Sequence, residues 1–140
     1  MIYQEELPLV ELSSMNDTHL EDILIINNVS KAIEAKDSQK VSTLMRELVE
    51  HTEVHFSGEE TMMLEKSFPP YLMHKSEHDR ALNELRFQET LWNDKNDYVK
   101  LKEYLDVTLK DWIINHIQTM DTVTAKFLVS GVSPCGSGVC

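Results

Sequence analysis

The sequence predicts an all-α chain: an up-down-up-down antiparallel four-helix bundle with an extended N-terminal arm and a short C-terminal helix. Three observations carry this. Apolar residues recur at spacings of three and four along four long stretches, the period of a helix with one buried face. Glycine and proline together supply only eight of 140 residues, too few turn-formers for many short strands. The connections between the stretches are short, which makes sequence neighbours antiparallel. At this length, with 41% apolar residues, the chain suits one domain with one core. There is no internal repeat.

The first fifteen or so residues have no clear period, and Pro8 with Ser13 and Ser14 reads as an extended arm. Asn16 or Asp17 is expected to cap the first helix, whose stripe runs through Leu20, Ile23, Leu24, Asn27 and Asn28 and ends near Lys36 and Asp37. Ser38 is expected to cap the second. Its stripe includes Val41, Leu44, Met45, Leu48, Thr52, His55, Glu59, Met62 and Met63. Gly58 interrupts it at a cost of about 1 kcal/mol, but the stripe keeps phase on both sides, so the helix continues until Phe68-Pro69-Pro70. A third helix runs from Tyr71 to about Trp92, and Asn93-Asp94-Lys95-Asn96 reads as a turn. A fourth begins near Tyr98 and carries Leu101, Leu105, Trp112, Ile113 and His116. A short helix over residues 121–128 follows, and residues 129–140 read as a flexible Gly/Ser/Pro-rich tail.

The formal net charge of −11 argues against phosphate backbones and anionic lipid as partners: no nucleic acid and no membrane surface. No stretch reaches the roughly 18 apolar residues of a membrane span, and MIYQEELPLV lacks the basic start and apolar run of a secretory signal. A cytoplasmic protein, or a domain of a longer chain with a fused or interacting signalling partner, is the expectation. Cys135 and Cys140 both lie in the tail. A disulfide, a redox-sensing thiol pair and a weak metal site all remain open there.

The histidines are the informative residues. His55 and Glu59 are four apart, and so are His74 and His78. Residues four apart lie on one helix face, about 6 Å along the axis, so each pair can aim at one point inside a bundle. His19 starts the first helix and His116 ends the fourth, which places them level. The end of helix two and the start of helix three are expected at the opposite level, leaving the heights to be matched. Asp121 is five after His116, and five residues turn about 500° in an α-helix. These two converge only if the helix ends or distorts between them.

Five histidines and two carboxylates exceed what one tetrahedral zinc requires. Imidazole suits iron, and carboxylates can bridge two ions. With both carboxylates and one solvent oxygen bridging, two octahedral ions are left one vacant position, where a small molecule can bind.

The runs His55-Phe56-Ser57-Gly58-Glu59-Glu60, His74-Lys75-Ser76-Glu77-His78 and residues 111–121, with Met15-Asn16-Asp17-Thr18-His19 before them, resemble the hemerythrin family. The resemblance covers roughly residues 1–128, a di-iron domain, and the five-residue offset of Asp121 is part of the family pattern. It implies that His74, His78 and His116 hold one iron and His19 and His55 the other. Glu59, Asp121 and a hydroxide or oxide would bridge the two. Dioxygen would bind reversibly at the open iron, taking electrons from the pair, in storage, delivery or sensing and with no enzymatic turnover. Ile113 looks like the family's gating aliphatic residue. Trp112, Ile23, Phe56 and Met63 are expected as pocket walls, although each alone is ordinary bundle core.

A histidine outside the motif, His51, reads as an ordinary surface or core residue, or as an outer partner of the ligands. Glu60 and Glu77 are expected to be solvated. The competing class is a di-iron redox sensor or an oxidase or peroxidase that autoxidises rapidly. Ferritin-like oxidases use mainly Glu and Glu-x-x-His ligands, whereas this set is histidine-rich.

Overall fold

A computed structural model of the chain describes residues 1–131. Three long helices, α1 (Ser13–Glu34), α2 (Ser38–Glu65) and α3 (Tyr71–Lys95), are followed by a fourth helical stretch over residues 98–130. That stretch comprises α4 (Tyr98–Glu103), α5 (Lys110–His116) and α6 (Thr122–Ser130), joined by π-helical segments Tyr104–Leu109 and Ile117–Asp121. There is no strand among the described residues. Neighbours in sequence pack side by side, and the fourth stretch closes the bundle against α1 and α3. The short final helix is α6, and it reaches Ser130 as the continuation of the fourth helix. Of the expected tail, residues 132–140, with Cys135 and Cys140, lie outside the described residues.

Local chemistry sets the ends, not always as expected. Asn16 and Asp17 lie inside α1 and do not cap it. The Asn16 amide turns back on the arm, donating to the Val10 carbonyl and accepting from its N–H, both at 2.9 Å. The cap of α2 is Asp37, not Ser38: its carboxylate accepts from the Lys40 N–H at 3.1 Å. α1 therefore stops at Glu34, and Lys36 takes a left-handed φ of 54° to make the corner. α3 runs past Trp92 to Lys95, where left-handed Asn96 ends it, a role asparagine tolerates. α2 passes unbroken through Gly58.

The N-terminal arm contains a single 3-10 turn, Gln4–Glu6. It is stitched to α1 by the Asn27 side chain, which bonds both the N–H and the carbonyl of Ile2 at 2.8 Å. Ile2, Leu7 and Val10 are buried with the core.

In this topology the start of α1, the end of α2, the start of α3 and the end of the fourth stretch all lie at one end of the bundle. The expected opposite placement of the α2–α3 corner is thus corrected, because an up-down-up-down chain returns to the same end after every second helix. Phe68, in that corner, packs on Phe127 of α6 with ring centroids 5.0 Å apart. The other end is apolar. Val29, Ile33, Val41, Met45, Trp92 and Leu105 are all buried there, and the Trp92 indole N–H donates to Ser42 Oγ at 2.9 Å. No helix among the described residues is long and apolar enough to cross a membrane.

Candidate metal centre

All four helical stretches deliver side chains to the polar end. α1 supplies His19, α2 His55 and Glu59, α3 His74 and His78, and the fourth stretch His116 and Asp121. Their side chains are at most 7% exposed. Within α2 and α3 the four-residue spacing aligns each pair as helix geometry requires.

The five-residue pair is aligned by a different device. The segment Ile117–Asp121 is π-helical, and the Thr122 N–H bonds the Ile117 carbonyl, five residues back. A π turn closes one residue later than an α turn, so positions five apart stack as positions four apart do in an α-helix. His116 Nε2 consequently lies 3.2 Å from Asp121 Oδ1. The Thr122 hydroxyl also donates to the Ile117 carbonyl at 2.7 Å.

The ligand-type atoms form two groups. Glu59, His74, His78, His116 and Asp121 make one, and His19, His55 and Glu59 the other; within each, one atom per residue lies within 4.8 Å of all the others. The carboxylates face both ways. Glu59 Oε1 is 3.2 Å from His78 Nε2, while its Oε2 is 2.7 Å from His55 Nε2. Asp121 Oδ1 is 3.1 Å from His74 Nε2, while its Oδ2 is 3.0 Å from His19 Nε2.

Protons alone do not satisfy this arrangement. The Nε2 atoms of His74 and His78 lie 3.1 and 3.2 Å from that of His116, three ring nitrogens turned on one another. Both nitrogens of His19, Glu59 Oε1, Asp121 Oδ1 and His116 Nδ1 are buried without a well-directed hydrogen bond, although His19 Nε2, Glu59 Oε1 and Asp121 Oδ1 each have an oppositely charged neighbour within 3.2 Å. Buried polar atoms left unsatisfied cost about 1–3 kcal/mol each. Cations placed among the Nε2 and carboxylate atoms would satisfy all of them except the Nδ1 atoms of His19 and His116, and the donor set of imidazole and carboxylate suits iron.

Three of the histidines are oriented from behind. His74 Nδ1 meets Thr124 Oγ1 at 2.8 Å, His78 Nδ1 meets Glu60 Oε2 at 3.0 Å, and His55 Nδ1 meets Asp22 Oδ2 at 2.8 Å. Each such contact occupies Nδ1 and leaves Nε2 to face the centre. Asp22 Oδ1 also lies 2.8 Å from Nδ1 of His51, whose Nε2 is 3.1 Å from Glu21. His51 is therefore an outer partner. Glu60 and Glu77, expected to be solvated, are both engaged, because helix packing brings each within reach of a ring nitrogen: Glu77 accepts the Trp112 indole N–H at 3.0 Å. Asp22 and Thr124 had not been singled out. A charged residue amid Leu20, Ile23 and Ile26 was the available signal for Asp22; Thr124 had none.

Burial pushes the Glu59 and Asp121 carboxyls up, but hydrogen bonds from the surrounding histidines outweigh it and hold both below the usual range. Burial lowers His55, yet Asp22 and Glu59 raise it well above an ordinary imidazole. Burial dominates at His116 and lowers it. The metal-free centre is thus a tightly paired set of opposite charges.

Beside it lies an internal cavity of about 40 Å³. Ile113, Trp112 and Phe56 line it, with Ile26 and Leu48. Ile23 and Met63 do not; they are buried elsewhere in the bundle. At about 100° per residue, Ile26 lies about 20° to one side of His19 and Ile23 about 40° to the other, and the cavity opens on the side of Ile26. Trp112 stacks on His116 with ring centroids 4.5 Å apart, and Phe56 on His78 at 4.0 Å.

Comparison with known proteins agrees with this geometry. The hemerythrin HHE cation binding domain matches residues 8–128. A bacteriohemerythrin from Aquifex aeolicus (strain VF5) is 31% identical over 114 residues, covering 81% of this chain and 87% of that protein. One from Ralstonia nicotianae is 32% identical over 104 residues, covering 74% and 72%. A crystal structure of wild-type hemerythrin superposes with a TM-score of 0.81 at 19% identity, covering 93% of this chain and 98% of the other; at that identity the likeness speaks for the fold.

Proposed function

The chain belongs to the hemerythrin family, and from that premise we propose that it binds molecular oxygen reversibly at a non-haem di-iron centre. His74, His78 and His116 would hold one iron and His19 and His55 the other, with Glu59, Asp121 and a solvent oxygen between them. The observation that carries this reading is the two-way carboxylate pattern: each of Glu59 and Asp121 offers one oxygen to the three-histidine group and the other to His55 or His19.

When bound, the two irons supply the electrons and the open coordination position that hold dioxygen. The chain does the rest. Thr124, Glu60 and Asp22 fix the rings so that Nε2 faces inward. The cavity of about 40 Å³ is large enough for a diatomic molecule, given that a water needs about 10–15 Å³ by a comparable measure. Ile26, Leu48, Phe56, Trp112 and Ile113 make most of its surface apolar.

The role is storage, delivery or sensing in the cytoplasm, with residues 1–128 as the di-iron domain and no enzymatic turnover. A fused or interacting signalling domain would make it a sensor. One observation favours the second reading, a redox sensor or oxidase that autoxidises: Asp22, a carboxylate, also lines the cavity.

The test is an optical spectrum of the iron-reconstituted ferrous protein through one oxygenation cycle. A visible band that forms with oxygen and vanishes when oxygen is withdrawn is expected. A band that never forms, or that collapses to a stable ferric spectrum, would sink the carrier reading in favour of the second.

A further inference from the structure

Gly58 has no packing reason to be glycine. It sits inside α2, where glycine weakens a helix relative to alanine, and a Cβ built there would meet no atom within 4 Å. Its φ is not left-handed. What the missing side chain does is keep open a groove between α1 and α2 of about 330 Å³. The rim carries exposed Ser14, Val54 and Gly58, and the lining reaches His55, whose side chain is 7% exposed, and buried Glu59. His74, His78, His116 and Asp121 do not line it.

We propose that this groove is the port through which a hydrated divalent cation reaches the centre, with Gly58 holding it open. The inference rests on the di-iron reading and adds how the metal arrives. Size supports it: a shell of six waters needs roughly 60–90 Å³ at about 10–15 Å³ each, which the groove of about 330 Å³ accommodates and the cavity of about 40 Å³ does not. Charge supports it too. Glu21, Glu59 and two imidazoles line the groove, and no lysine or arginine does. The two metal-binding residue types at the end of the lining, His55 and Glu59, approach to 2.7 Å (Nε2 to Oε2), so an incoming ion meets a nitrogen and an oxygen donor side by side.

The experiment mixes metal-free protein with cobalt(II) in a stopped-flow spectrometer and follows ligand-field absorbance. Gly58→Leu fills the groove from α2, and Ser14→Phe fills it from α1, so the test survives if one variant misfolds. Each is expected to slow uptake about tenfold or more, equivalent to about 1.4 kcal/mol on the barrier, with final cobalt per chain unchanged. Glu50→Leu, outside the groove on α2, should load at the wild-type rate. Wild-type rates in both filled variants overturn the port while leaving the metal reading intact. A wild-type chain that takes up no cobalt overturns the metal reading and the port with it.

Discussion

The two ends of the bundle are made from the same four helices and held together in opposite ways. At one end Met45, Trp92, Leu101 and Leu105 are at most 2% exposed and close on one another. At the other, seven titratable side chains fill the equivalent volume, several of their buried atoms without a well-directed hydrogen bond. The apolar end is favoured by burial whatever is bound. The polar end depends on what satisfies it: without metal it rests on pairing between its own carboxylates and imidazoles, and buried polar networks are stable only when complete. Stability is therefore invested at one end and function at the other, and the contrast can be tested in order of expected effect.

The largest effect should come from the apolar end. Met45→Ala removes a fully buried side chain and should cost about 2–5 kcal/mol in urea unfolding, equally with and without metal. A loss that depended on metal would mean the two ends are not independent. Next comes the metal itself. Iron at 100 times its dissociation constant should stabilise the fold by about 2.7 kcal/mol for each site filled. Equal unfolding midpoints with and without iron would reduce the polar end to a structural bundle.

The metal-free polar end should also respond to pH. Burial lowers His74, but hydrogen bonds from Asp121 and Glu59 raise it to about 9. Because the folded value exceeds the unfolded 6.5, this contribution is fully present below 6.5 and is lost as pH rises through about 9. Metal-free protein should thus weaken between pH 6.5 and 9, whereas iron-loaded protein, whose imidazoles are already neutral, should hold. Equal losses in both forms would contradict this.

A smaller effect divides the polar end itself. Asp22→Asn should weaken metal at the His19 and His55 position about 10–100-fold, and Thr124→Val should do so at the His74 position, read by chelator competition with metal counted per chain. Identical losses at both positions would show that the outer partners do not act separately. The smallest effect is at the rim. Hydrogen bonds from Arg80 and then Trp112 hold the Glu77 carboxyl at about 2. Its stabilisation is present above 4.5 and lost as pH falls through about 2. Glu77 sits half-buried at the rim, its side chain 29% exposed, and water screens its pairing with exposed Arg80, so Glu77→Gln should cost less than about 1 kcal/mol, visible only as a flattened acid limb of the stability curve.

The apolar stripes and the four-residue spacings made the bundle and the inward-facing pairs of candidate ligands legible in sequence, because helix period translates directly into a shared face. The outer partners were less so. Asp22 belongs to α1 and reaches a histidine of α2, a relation no periodicity within one helix encodes. Ile23 was expected on the cavity and Ile26 lines it instead; the two differ by about 60° of helix rotation, finer than an apolar stripe specifies. The helix caps failed where two candidates adjoined: Asp37 outcompeted Ser38 because its carboxylate reaches the Lys40 N–H.

The wide turn at residues 117–121 changes what residue counting means for this helix. A π turn is an α turn with one residue spliced in, and the surplus is absorbed into the winding instead of being expelled as a loop. Deleting exposed Gln118 should let the turn relax to α, closing the His116-to-Asp121 interval to four while Thr124 and Phe127 keep their directions. The fourth stretch carries a second such splice at Tyr104–Leu109. For alignment purposes it behaves as a shorter straight helix with two insertions, and gaps placed in its middle are the structurally faithful ones.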